Sequence, residues 1–192
     1  MSPSTWLKTG TSAAALVLAA ATAATAAPAT AATPGATSAA VTLRYDDSRA
    51  AGWEAAVAAG VASWNANVGT IRLVKAAPGV RAEILIVATT GWPQATLGPV
   101  RPGRQVRVEL GAQAVGDGYD KTRIAAHELG HSLGLPDTKP GPCTQLMSGS
   151  SAGTACTNAV PDAAERTRVR NTYANGLAAA GPTDGRVLVD AP

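Results

Sequence analysis

Two histidines four residues apart, with a glutamate beside the first, constrain this chain more than any other feature. They belong to the run HELGHSLGLPD at residues 127–137, and the sequence holds no further histidine. Residues at positions i and i+4 share one face of an α-helix, so the imidazoles of His127 and His131 can bind one ion. Glu128 follows about 100° around the helix, which directs its carboxylate to the side where a water on the ion would lie. The spacing predicts a helix that carries a metal centre and a general base.

The end of this motif supplies a third ligand. A catalytic zinc ion typically has three protein ligands and an open position for water. If the helix continued, Asp137 would lie roughly 15 Å along the axis from His127. Gly134 can adopt the left-handed conformation that ends a helix, and Pro136 prevents the helix from resuming. Asp137 can then fold back, so His127, His131 and Asp137 are the predicted zinc ligands.

Hydrophobic periodicity outside the motif predicts an α/β or α+β fold, and we expect an α+β (α/β-like) arrangement. Alternation at Val41, Leu43 and Tyr45 is typical of a half-buried strand, and we expect Asp47 or Ser48 to cap the next helix. An apolar repeat predicts that helix over residues 53–64. The remaining expected elements are strands at 70–75, 84–87 and 105–110, a loop or poorly paired edge segment at 91–104, a helix from Pro161, and a loose tail over the last dozen residues.

The first forty residues are typical of an exported protein. Lys8 precedes an uncharged, alanine-rich stretch over residues 11–27, which is short and weakly apolar beside a membrane span of about 20 residues. We therefore predict a secretory signal peptide at 1–27, a short pro-segment or linker at 28–40, and one domain at 41–192. The expected localisation is extracellular, without stable membrane association after signal removal.

Charge indicates which class of partner is excluded, and cysteine content bears on whether a disulfide forms. The 16 basic and 13 acidic residues give a net charge of +3 without a block of like charge, which argues against nucleic acid as a partner. Cys143 and Cys156 are the two cysteines of the chain. In an oxidising compartment we expect them to form one disulfide, the alternative being two free buried thiols. We expect a monomer.

The motif HELGHSLGLPD resembles the zinc signature of the metzincin endopeptidases, and an aspartate as third ligand is similar to the snapalysin type of small secreted neutral proteases. Further segments that resemble this type in order and spacing are residues 119–123, 141–143, 146–149, 156–158 and 164–166. The resemblance implies a metzincin-like twisted mixed sheet with an active-site helix and a C-terminal helix. It also implies a preference for aromatic residues after the cleaved bond.

The resemblance assigns roles to residues around the motif. Met147 would be the Met-turn residue beneath the zinc histidines, and the disulfide would flank that turn. The family has calcium at the positions of Asp120 and Thr122, although the same residues can equally be N-capping residues of the helix. Two residues after the liganding aspartate the family has a tyrosine that can donate to the oxyanion. This chain has Lys139 there, and whether Lys139 replaces that donor stays open.

The predicted function is that of a secreted zinc endopeptidase with protein or peptide substrates, in which Glu128 takes the proton of the attacking water. We expect the substrate to lie extended along an edge strand between Trp92 and Arg104. Another secreted zinc hydrolase, such as a cell-wall amidase, would use the same chemistry. A non-catalytic binding module with a structural zinc is the third possibility, and it needs a fourth protein ligand.

Overall fold

A computed structural model describes residues 39–174 and 185–192. The predicted signal peptide, most of the predicted linker and the predicted helix end at Asn175 and Gly176 lie outside the described residues. Within the described part of the chain, no helix combines the length and the hydropathy needed to cross a membrane.

The described residues form six strands: β1 (Val41–Arg49), β2 (Ile71–Lys75), β3 (Ile84–Thr89), β4 (Gln94–Thr96), β5 (Val106–Gly111) and β6 (Val187–Val189). They make one mixed sheet in the order β2-β1-β3-β5-β4-β6. Strands β1, β2, β3 and β5 run parallel, whereas β4 is antiparallel to both β5 and β6. Apolar side chains of β1 and β5 alternate toward the core, as the period-two pattern predicts for β1. In β3 the consecutive residues Ile86 and Val87 are both buried.

In ranges 39–174 and 185–192, four α-helices accompany the sheet: α1 (Glu54–Asn67), α2 (Ala112–Gly116), α3 (Lys121–Ser132) and α4 (Ala163–Ala174). Helix α3 packs against α1, β4 and β5. A Cβ atom at Gly60 of α1 would lie 3.0 Å from the backbone nitrogen of Ala126, so this glycine lets the two helices approach closely. The indole of Trp64 donates to the Ala126 carbonyl at 2.9 Å. These contacts hold α3, and with it the histidine motif, against the core.

The α+β class with an active-site helix and a C-terminal helix is confirmed, but the start of α1 was predicted wrongly. Asp47 and Ser48 do not cap it, because β1 continues to Arg49 by pairing with β3 across an irregular register. The helix begins at Glu54, after Trp53. The predicted glycine-rich connection after β5 contains the short helix α2.

The segment from 91 to 104 and the last dozen residues also differ from the predictions. The first contains β4, which is paired on both sides. The expected loose tail contains β6, whose hydrogen bonds include Leu97 N to the Arg186 carbonyl at 2.8 Å and Asp190 N to the Pro93 carbonyl at 2.9 Å. Each strand has three residues, which is too few to show a periodic pattern in the sequence. Each is held in the sheet by pairing with a strand distant in the sequence.

Candidate metal centre

Helix α3 begins at a capped position. The Asp120 carboxylate accepts from the backbone N–H of Arg123 at 2.8 Å, which confirms the predicted cap at this residue. Thr122 lies inside the first turn and is not the cap. Calcium at Asp120 and Thr122 stays a prediction. From Arg123 to Ser132 every residue of the helix is buried, which places the motif in the interior of the protein.

The helix ends where Gly134 was predicted to end it. Gly134 has φ +98°, and its N–H donates to the His131 carbonyl at 2.9 Å while Leu135 N donates to the Gly130 carbonyl at 3.0 Å. This pair of bonds is a Schellman motif, which uses the left-handed conformation that glycine tolerates. The reversal brings the Asp137 carboxylate oxygen Oδ1 to 3.3 Å from His127 Nε2 and to 3.5 Å from His131 Nε2.

Backbone carbonyls orient both imidazoles. His127 Nδ1 lies 3.0 Å from the Leu146 carbonyl, and His131 Nδ1 lies 2.7 Å from the Leu135 carbonyl. Because a carbonyl oxygen only accepts, each Nδ1 carries a hydrogen, and in the neutral ring each Nε2 presents a lone pair. The two rings stand 4.5 Å apart and nearly perpendicular. Both Nε2 atoms therefore face the Asp137 carboxylate in the tautomer that binds metals.

The converging atoms lack hydrogen-bond partners among the described residues. They are Nε2 of both histidines, Oδ1 of Asp137 and both carboxylate oxygens of Glu128, all buried. The three candidate ligand atoms of His127, His131 and Asp137 lie within 4.8 Å of one another. A buried polar atom without a partner costs about 1–3 kcal/mol, and a cation at the centre would satisfy several at once. Two imidazoles and a carboxylate are a donor set that suits zinc.

Electrostatics at the site favour a positive charge. Burial raises the pKa of the Glu128 carboxyl well above its ordinary range. Burial opposes a charge on His127, but the Asp137 and Asp190 carboxylates outweigh it and raise the pKa of His127 to about 9. The pKa of His131 is lowered to about 4, first by burial and then by the charge on His127. His127 therefore favours a positive charge, at a place where a divalent cation would neutralise the carboxylates more fully.

Met147 lies directly against the motif. Its side chain is fully buried, and a Cβ atom at Gly130 would lie 2.6 Å from the Met147 sulfur. Glycine at this position of α3 therefore leaves the space that the methionine fills. The neighbouring Leu146 carbonyl orients His127, so the turn that carries Met147 forms part of the support of the site.

Two buried charged residues hold this turn, and the sequence reasoning did not assign them a role. Arg123 lies one helical turn before His127, and its guanidinium donates to the Asn158 carbonyl at 2.7 Å, to Ser148 Oγ at 2.9 Å and to the Gln145 carbonyl at 3.0 Å. Its position at i−4 from His127 was the available signal, since residues four apart share one face of a helix.

Glu165 is the second of these residues. Its carboxylate accepts from the backbone N–H groups of Met147 at 2.8 Å, Leu146 at 3.2 Å and Asp162 at 2.6 Å. Asp162 in turn accepts from Glu165 N at 2.8 Å, which is a capping box at the start of α4. One carboxylate therefore joins α4 to the turn beneath the histidines.

The predicted disulfide is confirmed. Cys143 and Cys156 are bonded, with their Cα atoms 5.5 Å apart. The bridge closes the loop that contains Met147.

Asp190 enters the site from outside the motif, and the sequence reasoning missed it. Its Oδ1 lies 3.9 Å from His127 Nε2 and 2.6 Å from Lys139 Nζ. Lys139 also donates to the Ala191 carbonyl at 2.8 Å. The ammonium that was considered as an oxyanion donor is therefore bound to the segment that follows β6.

The fold and the site together define the class: an α+β protein with an HExxHxxGxxD motif whose candidate metal centre lies on a buried helix, against a turn that carries a methionine. Residues 105–176 match the sequence profile of the Streptomyces extracellular neutral proteinase (M7) family. The extracellular small neutral protease of Streptomyces caespitosus is 37% identical over 139 residues, which cover 99% of that protein and 71% of this chain. The chain belongs to this family of extracellular small neutral proteases, and the predicted extracellular localisation is confirmed.

Other relatives are longer. The extracellular small neutral protease of Streptomyces coelicolor is 41% identical over 147 residues, and that of Streptomyces sp. strain C5 is 38% identical over 159 residues. The alignments cover 77% and 75% of this chain, but they span only 65% and 61% of those relatives. A solved structure, the high choriolytic enzyme 1 of medaka, a hatching enzyme zinc-protease, is 26% identical with a TM-score of 0.39 over 53% of this chain and 48% of that chain.

Proposed function

We propose that this protein is a secreted zinc-dependent endopeptidase, in which His127, His131 and Asp137 hold the zinc and Glu128 is the general base. One observation carries the proposal: three candidate ligand atoms from a helix and the turn after it converge in a buried site beside the two carboxylate oxygens of Glu128. None of these atoms has a hydrogen-bond partner among the residues that the structure describes. The names of the relatives, all extracellular small neutral proteases, support protein or peptide as the substrate class.

A zinc ion at this site would supply a Lewis acid that lowers the pKa of a bound water toward about 7 and polarises the scissile carbonyl. Glu128 accepts the proton of the attacking water on a carboxylate oxygen and passes it to the leaving amine nitrogen. Burial of Glu128 raises the pKa of its carboxyl, which favours uptake of the proton of the water.

The chain's own residues keep the ligands in place. The Leu146 and Leu135 carbonyls fix the two imidazoles, so that neither ring must reorient when the site is loaded. A preference for aromatic residues after the cleaved bond, and calcium at Asp120 and Thr122, belong to the proposal as features implied by the family. A cleavage profile on peptide libraries and calcium titration of an Asp120→Asn variant test them.

The central test compares Glu128→Gln and Asp137→Asn with the unchanged protein. Glu128→Gln should retain one zinc per chain and the fold, while hydrolysis of casein falls by roughly 10²–10⁴-fold. Asp137→Asn should lower zinc affinity, measured by competition with a chelator, because one charged ligand is lost.

Two results would contradict the assignment. Substantial casein hydrolysis by zinc-replete Glu128→Gln would exclude Glu128 as the base, and unchanged zinc affinity in Asp137→Asn would exclude Asp137 as the third ligand. A zinc-loaded protein that hydrolyses cell-wall peptides but not casein would favour the amidase alternative.

A further inference from the structure

Strand β6 occupies the edge of the sheet beside the metal centre. It pairs antiparallel with β4, in the register Gln94 to Val189 and Thr96 to Val187. Strand β4 is adjacent to α3, since the N–H of Gly98 just after it donates to the His131 carbonyl at 2.8 Å. An extended peptide that docked at this site by strand addition would use the same edge of β4. The chain thus covers the edge where we expected substrate to lie.

The residue after β6 reaches the centre itself. The Asp190 side chain is almost completely buried, and its Oδ1, near the His127 Nε2 atom, also accepts from the backbone N–H of Ser150 at 3.0 Å. His127, Glu128 and Asp190 form a second cluster whose candidate ligand atoms lie within 4.8 Å of one another. A carboxylate here lies where a water or a substrate carbonyl would have to approach.

The docking of β6 is shallow. Val187 is 50% exposed and Val189 is 48% exposed, so this strand contributes little apolar burial compared with the central strands. The segment also lies after residue 176, where the match to the family profile ends. It is attached by backbone pairing with β4 and by hydrogen bonds to the Asp190 carboxylate and the Ala191 carbonyl.

We propose that residues 185–191 are an intramolecular inhibitor that binds like a substrate strand, with the Asp190 carboxylate blocking the open side of the metal centre. Undocking of this segment from β4 exposes the strand edge and frees Lys139. The inference rests on the proposed function, because a blocked site implies a site that acts when open.

Proline substitutions provide a matched test of the docking. Leu97 is hydrogen-bonded to Arg186, and Asp190 is hydrogen-bonded to Pro93. In an antiparallel pair, every second residue of a strand is hydrogen-bonded to its partner. The N–H of Leu188 therefore points toward β4, and the N–H of Val189 points away. Leu188→Pro should therefore release the segment. Val189→Pro should leave it docked, because proline is tolerated where the N–H faces outward from an edge strand.

The first readout is binding in the zinc-free full chain, which does not depend on activity. The probe is a fluorescent peptide with the sequence GRVLVDAP, that of residues 185–192. If the segment is docked in nine of ten molecules, the unchanged protein binds the probe about tenfold more weakly than an open variant does. We expect Leu188→Pro to bind the probe about tenfold more tightly than the unchanged protein, and Val189→Pro to match the unchanged protein.

The second readout is hydrolysis of a short chromogenic peptide by the zinc-loaded protein. We expect the rate to rise about tenfold in Leu188→Pro and in Asp190→Ala, while Val189→Pro is unchanged. If Leu188→Pro does not fold, Asp190→Ala carries both readouts.

The outcomes separate this inference from the proposed function. Equal probe binding by the open variants and the unchanged protein would overturn the inhibitor, even if every variant hydrolyses peptides. If the open variants bind the probe more tightly but no zinc-loaded variant hydrolyses peptides, the docking of the segment on β4 is supported and the proposed peptidase function is refuted. Lower activity in the folded Asp190→Ala variant would make Asp190 a supporting residue of the site and would also overturn the inhibitor.

Discussion

Replacing Glu165 with alanine should damage the metal centre from a distance. The carboxylate touches none of the proposed ligands, yet it accepts from Leu146 N, Met147 N and Asp162 N. Leu146 and Met147 are fully buried, so water cannot easily replace the lost acceptor. The Leu146 carbonyl also accepts from His127, which connects the loss directly to a proposed zinc ligand.

The magnitude follows from the number of donors left unpaired. Two fully buried N–H groups at about 1–3 kcal/mol each give a loss of about 2–6 kcal/mol, and the half-buried Asp162 N–H can be hydrated. This is a large share of a typical domain stability of about 5–15 kcal/mol. Glu165→Gln should lower the free energy of unfolding by less, about 1–3 kcal/mol. One side-chain oxygen remains as an acceptor, while the amide NH₂ faces a backbone N–H that is also a donor.

Urea unfolding of the zinc-free protein measures the loss, and chelator competition measures zinc affinity. The control is Glu54→Ala, because Glu54 is also in the first turn of a helix but is exposed, and it should change stability by no more than about 0.5 kcal/mol. Zinc affinity should fall in Glu165→Ala and not in the control. A loss below about 1 kcal/mol with unchanged zinc affinity would refute this reasoning.

Three further predictions concern the frame of the site. Reduction of the Cys143–Cys156 disulfide should lower the free energy of unfolding by roughly 3 kcal/mol and reduce activity before global unfolding. Melting curves and hydrolysis rates with and without reductant measure both effects. Two alkylatable thiols in the native protein would contradict this prediction. Gly134→Ala should destabilise by about 1–2 kcal/mol and weaken zinc binding, since φ is +98° there; a wild-type melting temperature would contradict it. Tyr173 donates to the Val100 carbonyl at 2.9 Å, so Tyr173→Phe should cost about 1–2 kcal/mol. Burial raises the pKa of Tyr173 above its ordinary value of 10.0. The tyrosine therefore stabilises the fold below pH 10, and this stabilisation is lost as the pH rises further. If the difference in unfolding free energy between the unchanged protein and Tyr173→Phe does not shrink above pH 10, the predicted pH dependence is wrong.

The convergence of residues at the candidate metal centre was largely predictable because the information for it is local. His127, Glu128 and His131 lie within five residues, so helical geometry alone places them together. Gly134 decides the reversal that returns Asp137, and only a residue that tolerates a positive φ can make that turn. The longer strands and α1 were predictable for a similar reason, since their alternation or helical repeat extends over several residues of the sequence.

The support of the site and its covering were decided by tertiary structure alone. Arg123 and Glu165 become important because a loop some twenty residues away places its carbonyls and N–H groups around them. Lys139 and Asp190 are 51 positions apart in the sequence, and no periodicity connects them. Strand β6 is too short to be recognised by pattern, because it exists by pairing with an edge of β4 that only the assembled sheet creates. Local spacing therefore determines the proposed zinc ligands and base, whereas contacts that close long loops decide what holds them and what covers them.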